Sequence, residues 1–404
     1  MKLLLTLSKP NFVRDQVADL DLEENHVQHL MRVTPANSSG WTEDINLQTL
    51  FFRLTLDSAT EFLFGDSVNS QIADLRGKTN PNSTSDRTDE KLFAFSFDDG
   101  QRHLARRSRF QDKYWLHNPK EFREDTRHVR AFVDHFVDLA LEATASTYGQ
   151  EKAAEEGQKT KYVVSHALAQ QTRDPEELRS QLVNILLAGR DTTASLLSFL
   201  FHHLVRNPEI YRTLRSAVLR DFGTYTNPNS ANLTFAGLKS CSYLQYCLNE
   251  TLRLTTVVPG NSRTAIRDTT IPRGGGPDGS KPVYVRKGQP VEYTIHVLHQ
   301  RKDIWGPDAS DFKPERWAKK NAGRYPSESQ HWEYLPFNGG PRICIGQQFA
   351  LTEAAYVVVR LMQRFEECVM GTGEDDKVWE GKTNVTLTAA PGRGPIVRMK
   401  EARE

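Results

Sequence analysis

Cysteine is scarce. The 404 residues hold four, Cys241, Cys247, Cys344 and Cys368. Secreted scaffolds held by disulfides are far richer, so a cysteine framework is excluded and a reducing compartment is expected. An excess of one charge is also missing. Lys and Arg number 52 against 51 Asp and Glu, a formal net charge of +1. So even a balance gives no global attraction to nucleic acid or to an anionic membrane surface, and no nucleic-acid partner is expected. Long apolar runs are absent as well. The opening Met1-Lys2-Leu3-Leu4-Leu5 starts like a signal peptide, but its run ends by Ser8 and no small-residue cleavage site follows. The best approach to a membrane span, Leu182–Val205, carries Arg190 and Asp191 at its middle. Charge there is costly in lipid, so a core helix is the expectation. No internal repeat is present.

What is there is 38% hydrophobic and 25% charged, enough apolar residue to close a sizeable core. Helical periodicity dominates. Asp44–Phe64, Asp89–Asp112 and Phe122–Ala145 read as amphipathic helices, with links at Asn80–Thr88 and Glu151–Lys161. The strongest helix start is Asp174-Pro175-Glu176-Glu177, with Asp174 at the N-cap, Pro175 at the first helical position and Glu177 completing a capping box. That helix is predicted to run to about Val205. Leu178, Leu182, Ile185, Gly189, Thr192 and Leu196 step along it by four and three and share a face. Pro208–Phe222 and Leu238–Leu254 are further helices. Between Arg263 and Val297 the pattern turns to strands, near Val283–Val285 and Val291–His296, with a Gly-rich turn at Gly274-Gly275-Gly276. A last helix is predicted from near Cys344 to about Phe365. The fold class is mainly α with a small β portion, in a single unit spanning 1–404.

The most informative segment is FNGGPRICIGQQFA, Phe337–Ala350. Its glycines let the backbone approach a bulky flat object. A helix starting just after Cys344 would aim free N–H groups at the sulfur and favour thiolate over thiol, which suits a metal ligand. A buried structural cysteine and a nucleophile served by a distant His are the other readings of Cys344. For Cys241, Cys247 and Cys368 the structural reading is taken. Zinc is disfavoured, since no second Cys or His stands at ligand spacing from Cys344.

These residues resemble the haem-binding loop of the cytochrome P-450 family, the haem-thiolate monooxygenases: Phe337, Gly340, Arg342, Cys344 and Gly346 fill every fixed position of that pattern. The resemblance implies the P-450 fold, haem as cofactor and Cys344 as the iron ligand, its thiolate pushing electron density toward O–O cleavage. Glu250 and Arg253, three apart on one helix face, resemble the family's Glu-x-x-Arg pair. Arg316 in FKPERW would be the second guanidinium on that carboxylate, a structural network behind the haem. AGRDTT, Ala188–Thr193, could be an ordinary polar interruption of a helix. It resembles the family's oxygen-activation site, with Gly189 leaving room for a ligand, Thr192 opening a local kink and steadying dioxygen, and Asp191 relaying protons. By the same resemblance Arg342 and Arg263 would pair with haem propionates, and Val257, Val258 and Pro259 would line the substrate pocket. Arg263 could equally be a solvated strand charge, and the other three ordinary packing.

Leu50–Gly65, Tyr114–Arg123, Val257–Ala265, Pro272–Val291 and Arg301–Ala309 are similar to the fungal alkane and fatty-acid ω-hydroxylase branch. This implies terminal hydroxylation of long-chain alkanes or fatty acids, using O2 and electrons from NADPH through a flavoprotein cytochrome reductase. It also implies the cytosolic face of the endoplasmic reticulum membrane. The family's usual N-terminal anchor and first helices have no counterpart in this chain, so Lys2–Asn11 would fall where a propionate-holding helix ends. An N-terminally incomplete protein, cytoplasmic or peripheral to the membrane, is therefore expected. A non-catalytic fragment that binds haem poorly, and a haem-thiolate isomerase or dehydratase of lipid peroxides, are the alternatives. Thr255-Thr256 departs from the family, which often has an aromatic or Leu followed by Pro there.

Overall fold

A computed structural model describes residues 20–72, 90–147, 163–318, 332–372 and 383–403. The predicted links at Asn80–Thr88 and Glu151–Lys161, and the segment Lys2–Asn11, lie outside them.

Among the described residues, eight long helices carry the architecture: α1 (Leu20–Arg32), α2 (Leu47–Phe64), α3 (Glu90–Arg109), α4 (Lys120–Thr147), α5 (Pro175–Arg206), α6 (Pro208–Phe222), α7 (Ser242–Leu254) and α8 (Gln347–Arg364). Helix α5, 32 residues long, is the central strut. Its start is set by local chemistry: the Asp174 carboxylate accepts from the Glu176 N–H, and Pro175 needs no donor partner. Glu177 does not close a capping box. Its carboxylate instead accepts from the Thr172 hydroxyl, which in turn accepts the Asp174 N–H. Helix α2 lies along α5, with Phe51 against Phe201 at 5.5 Å between ring centroids and the Thr55 hydroxyl on the Arg190 carbonyl at 2.9 Å. Helix α8 is buried along Thr352–Gln363. It is tied to α1 by Glu24, whose carboxylate takes Arg360 in a bidentate pair at 2.9 and 3.0 Å and the Tyr356 hydroxyl at 2.7 Å.

The β portion is small and antiparallel. Strands β1 (Ile45–Asn46) and β6 (Phe365–Met370) flank β9 (Ile396–Glu401); β2 (Gly260–Thr264) pairs with β5 (Pro290–Thr294), β3 (Thr269–Gly275) with β4 (Lys281–Val285), and β7 (Thr383–Val385) with β8 (Ala389–Pro391). Among the described residues no helix is long and apolar enough to cross a membrane.

Several boundaries differ from the sequence reading. The pattern at Leu238–Leu254 is two helices, Phe235–Ser240 and α7, because the chain extends at Cys241 (φ −71°, ψ 91°). The predicted strand to His296 ends at Thr294, where a helical turn Ile295–His299 begins. Helix α3 stops at Arg109 because Gln111 adopts positive φ (48°) and a 3₁₀ turn follows.

Candidate active site

Cys344 stands apart from the other three cysteines. Cys241, Cys247 and Cys368 are buried within the main core, while Cys344 is exposed. Burial pushes the thiols of Cys241 and Cys368 up to about 11 and 12 and that of Cys247 well up. These three are packing residues, as read from the sequence.

The loop before Cys344 is built by backbone hydrogen bonds. The Cys344 N–H donates to the Phe337 carbonyl at 2.9 Å, and the Ile343 N–H to Gly340 at 3.1 Å. Gly340 sits at φ 69°, which glycine adopts without strain. A Cβ on Gly339 would lie 2.9 Å from the Trp332 ring, so the tight turn also demands a residue without a side chain there. Helix α8 begins at Gln347, just after Cys344, and the Gly346 and Gln347 amides donate to the sulfur. Those amides favour thiolate, but the protein crowded around the sulfur outweighs them and raises the thiol pKa. The thiolate is thus prepared by the helix start without being formed by it; a metal ion would supply the missing charge.

Glu250, Arg253 and Arg316 meet as anticipated. All three are buried, and the Glu250 carboxylate takes Arg253 Nη2 and Nε at 2.8 and 2.9 Å and Arg316 Nε at 3.3 Å. Trp317 Nε1 and the Lys313 N–H add two further donors, both at 3.0 Å. The guanidiniums in turn cap the carbonyls of Trp305, His299, Ala309 and Asp308. Two residues the sequence reading missed connect this network to the cysteine segment: His299 Nε2 accepts the Leu335 N–H at 2.8 Å, and the Tyr334 hydroxyl donates to the Asn249 carbonyl at 3.1 Å. No fixed spacing announces either.

On α5 the face read from the sequence is closed at both ends and open at its middle. Leu178, Leu182 and Leu196 are buried, whereas Ile185, Gly189 and Thr192 are half-buried, and a Cβ on Gly189 would meet no atom within 4 Å. The Thr192 hydroxyl donates to the Ala188 carbonyl at 2.8 Å, inside a helix that is continuous through this point. Asp191 is buried. Its Oδ1 accepts from Arg190 Nη1 at 3.1 Å and from Gln101 Nε2 at 3.3 Å, and Arg190 also pairs with Asp98. Burial, and then the negative charge of Asp98, raise the Asp191 carboxyl, with Arg190 and Gln101 opposing. Asp98, Gln101, Arg190 and Asp191 line a cavity of about 550 Å³ between α2, α3 and α5. Helix α8 reaches the same stretch of α5. Phe349 packs against the cluster holding Leu182 and Leu186, and the buried Glu353 is hydrogen-bonded by Ser58 of α2 and approached by Thr193.

The remaining predicted residues are more dispersed. Arg342 is exposed. Arg263, exposed on β2, lies over the Tyr293 ring at 5.7 Å, and the Tyr293 hydroxyl donates to Asn338 in the cysteine loop at 2.8 Å. Val257 is buried in the main core, its carbonyl accepting the Ala389 N–H at 2.8 Å; Val258 and Pro259 are half-buried. The packing reading therefore accounts for Val257.

An exposed sulfur that receives two amide N–H groups, an apolar Ile343 exposed beside it and a helix face bare at Gly189 fit a flat iron macrocycle gripped through sulfur. The fold and this loop define a haem-thiolate protein. The Cytochrome P450 family model matches residues 21–392, and the chain belongs to that family, which binds haem iron through a cysteine thiolate. Similar proteins include Cytochrome P450 monooxygenase g430 of Fusarium sp, 53% identical over 362 residues covering 89% of this chain and 60% of the relative. Cytochrome P450 52A1 of Candida tropicalis is 48% identical over 98% of this chain and 69% of its own length. Cytochrome P450 52A3-A of Candida maltosa is 47% identical over 99% and 72%. The chain thus spans 60 to 72% of the length of these relatives.

Proposed function

We propose that the protein is a haem-dependent monooxygenase that hydroxylates long-chain alkanes or fatty acids at the terminal carbon. It would use O2 and electrons from NADPH passed through a flavoprotein reductase. The observation that carries the reading is Cys344, exposed in an amide-lined loop whose following helix runs beside the open middle of α5. The substrate class rests on likeness to the alkane and fatty-acid hydroxylase branch, and the same likeness supports a position at the cytosolic face of the endoplasmic reticulum membrane.

When bound, haem supplies dioxygen activation and insertion of one oxygen atom into a C–H bond. Cys344 Sγ would hold the iron, with the Gly346 and Gln347 amides stabilising the negative sulfur. Asp191, on the wall of the cavity lined by Gln101 and Arg102, would relay protons toward the Thr192 position next along α5. Arg190 keeps that carboxylate in place. Gly189 leaves the space in which substrate and cofactor meet. Glu250, Arg253 and Arg316 hold the backbone behind the cysteine loop. Arg342, and Arg263 through the Tyr293–Asn338 contact, stand on the loop side as partners for the haem carboxylates.

The test is the absorption spectrum of the reduced protein with carbon monoxide. The thiolate-haem band is expected in the wild type and lost in Cys344→Ser, and a long-chain fatty acid should shift the ferric spin state. Haem held with an unchanged spectrum in Cys344→Ser would defeat the assignment. Turnover of a lipid hydroperoxide without reductase, and none of a fatty acid with it, would move the reading to isomerase or dehydratase chemistry.

A further inference from the structure

Helices α3 and α4 pack as a pair and enclose a group of side chains that the proposed oxidation does not use. Asp99 and His103 stand one turn apart on α3, and Asp125 faces them from α4. One ligating atom from each lies within 4.8 Å of the others. The His103 ring is divided in its duties. Its Nε2 is 3.5 Å from Asp99 Oδ2, while its Nδ1 is 2.9 Å from His117 Nε2, in the link between the two helices.

Asp125 is 6% exposed, and its Oδ2 is buried without a hydrogen-bond partner. The Asp99 carboxylate is held on its Oδ1 side by Arg102, which leaves Oδ2 directed at the imidazole. Two carboxylate oxygens and one imidazole nitrogen are the donors of a three-ligand zinc site, with water in the fourth position. Donors sharing a tetrahedral zinc stand roughly 3.4 Å apart.

We propose that Asp99, His103 and Asp125 form a divalent-metal site, suited to zinc, that clamps α3 to α4. His117 is the outer partner, accepting the His103 Nδ1–H and so fixing Nε2 as the metal-facing nitrogen. The clamp has a place in the molecule as a whole, because α3 also presents Asp98 and Gln101 to Arg190 and Asp191.

The experiment is zinc titration of chelator-treated, haem-loaded protein by calorimetry, with zinc K-edge X-ray absorption on the product. One equivalent of zinc is expected, in an oxygen and nitrogen shell that includes one imidazole and no sulfur, with a rise in melting temperature. Asp125→Asn should lose that equivalent, and His117→Gln should weaken it about 10- to 100-fold. Asp99→Asn, at a half-buried position, guards against a folding artefact: it should melt like the wild type without metal and show no zinc-induced rise. Absence of zinc uptake, a sulfur ligand in the shell, or equal uptake by Asp99→Asn and Asp125→Asn would overturn the site.

Discussion

Among single residues, acids kept from water decide most. Glu353 is 1% exposed, and burial pushes its carboxyl up to about 7, against the smaller pull of the Ser58 and Thr193 hydroxyls. An acid whose folded pKa is raised stabilises the fold fully below its unfolded value, and that contribution fades as pH rises through the folded value. Between about pH 4.5 and 7, Glu353 should therefore remove roughly 3 kcal/mol of stability. Urea unfolding of the haem-loaded protein across that range should show the slope, and Glu353→Gln should flatten it; an equal slope in the variant would clear Glu353 of the effect. Asp191 tests a different matter. If it hands protons to the reaction, Asp191→Asn should slow hydroxylation on the order of 10²-fold while fatty-acid binding, read from the spin shift, stays near wild type. A turnover rate within threefold of wild type would remove Asp191 from proton delivery.

Elements show where sequence is a sufficient guide. The start of α5 could be read outright, because Asp174 and Pro175 are local signals that need no tertiary partner. Its cap should be worth about 1 kcal/mol, so Asp174→Ala should lower the urea midpoint with little change in the m-value. The third member of the capping box was misread because Glu177 had a nearer partner in Thr172. Similarly, the apolar rhythm of Leu238–Leu254 is continuous across Cys241, and only the backbone there reveals two helices. The short strands pair across distances that no periodicity carries: β1 and β9 lie some 350 residues apart yet register Ile45 against Val397. Of the site, the cysteine loop and the Glu250–Arg253 pair were legible from fixed spacing. Arg190, Gln101, His299 and Tyr334 were not, since each works through a partner brought up by the fold.

Across the molecule, the Glu250 cluster is the joint between helix α7 and the segment that leads to Cys344. Five donors converge on one carboxylate that no water reaches. Glu250→Gln would leave Arg253 charged and buried without its counter-ion and Arg316 with Asp308 alone, at a cost of about 3–5 kcal/mol. The expected result is a lower melting temperature together with a lower ratio of haem to protein on purification. A variant that keeps full haem content and wild-type melting would show that the joint is dispensable. Arg316→Lys should fall between these limits, because an ammonium cannot reproduce the planar fork that spans Glu250, Trp305 and Asp308.

Confining three of four cysteines to the interior has a practical result. Before haem is loaded, a mild alkylating reagent should count a single reactive sulfur per chain, and peroxide should oxidise that same atom first. Once iron occupies it, the count should drop to zero. Cofactor capture thereby doubles as chemical protection, and apoprotein left in air should lose its capacity to be reconstituted at the pace at which this one sulfur is oxidised.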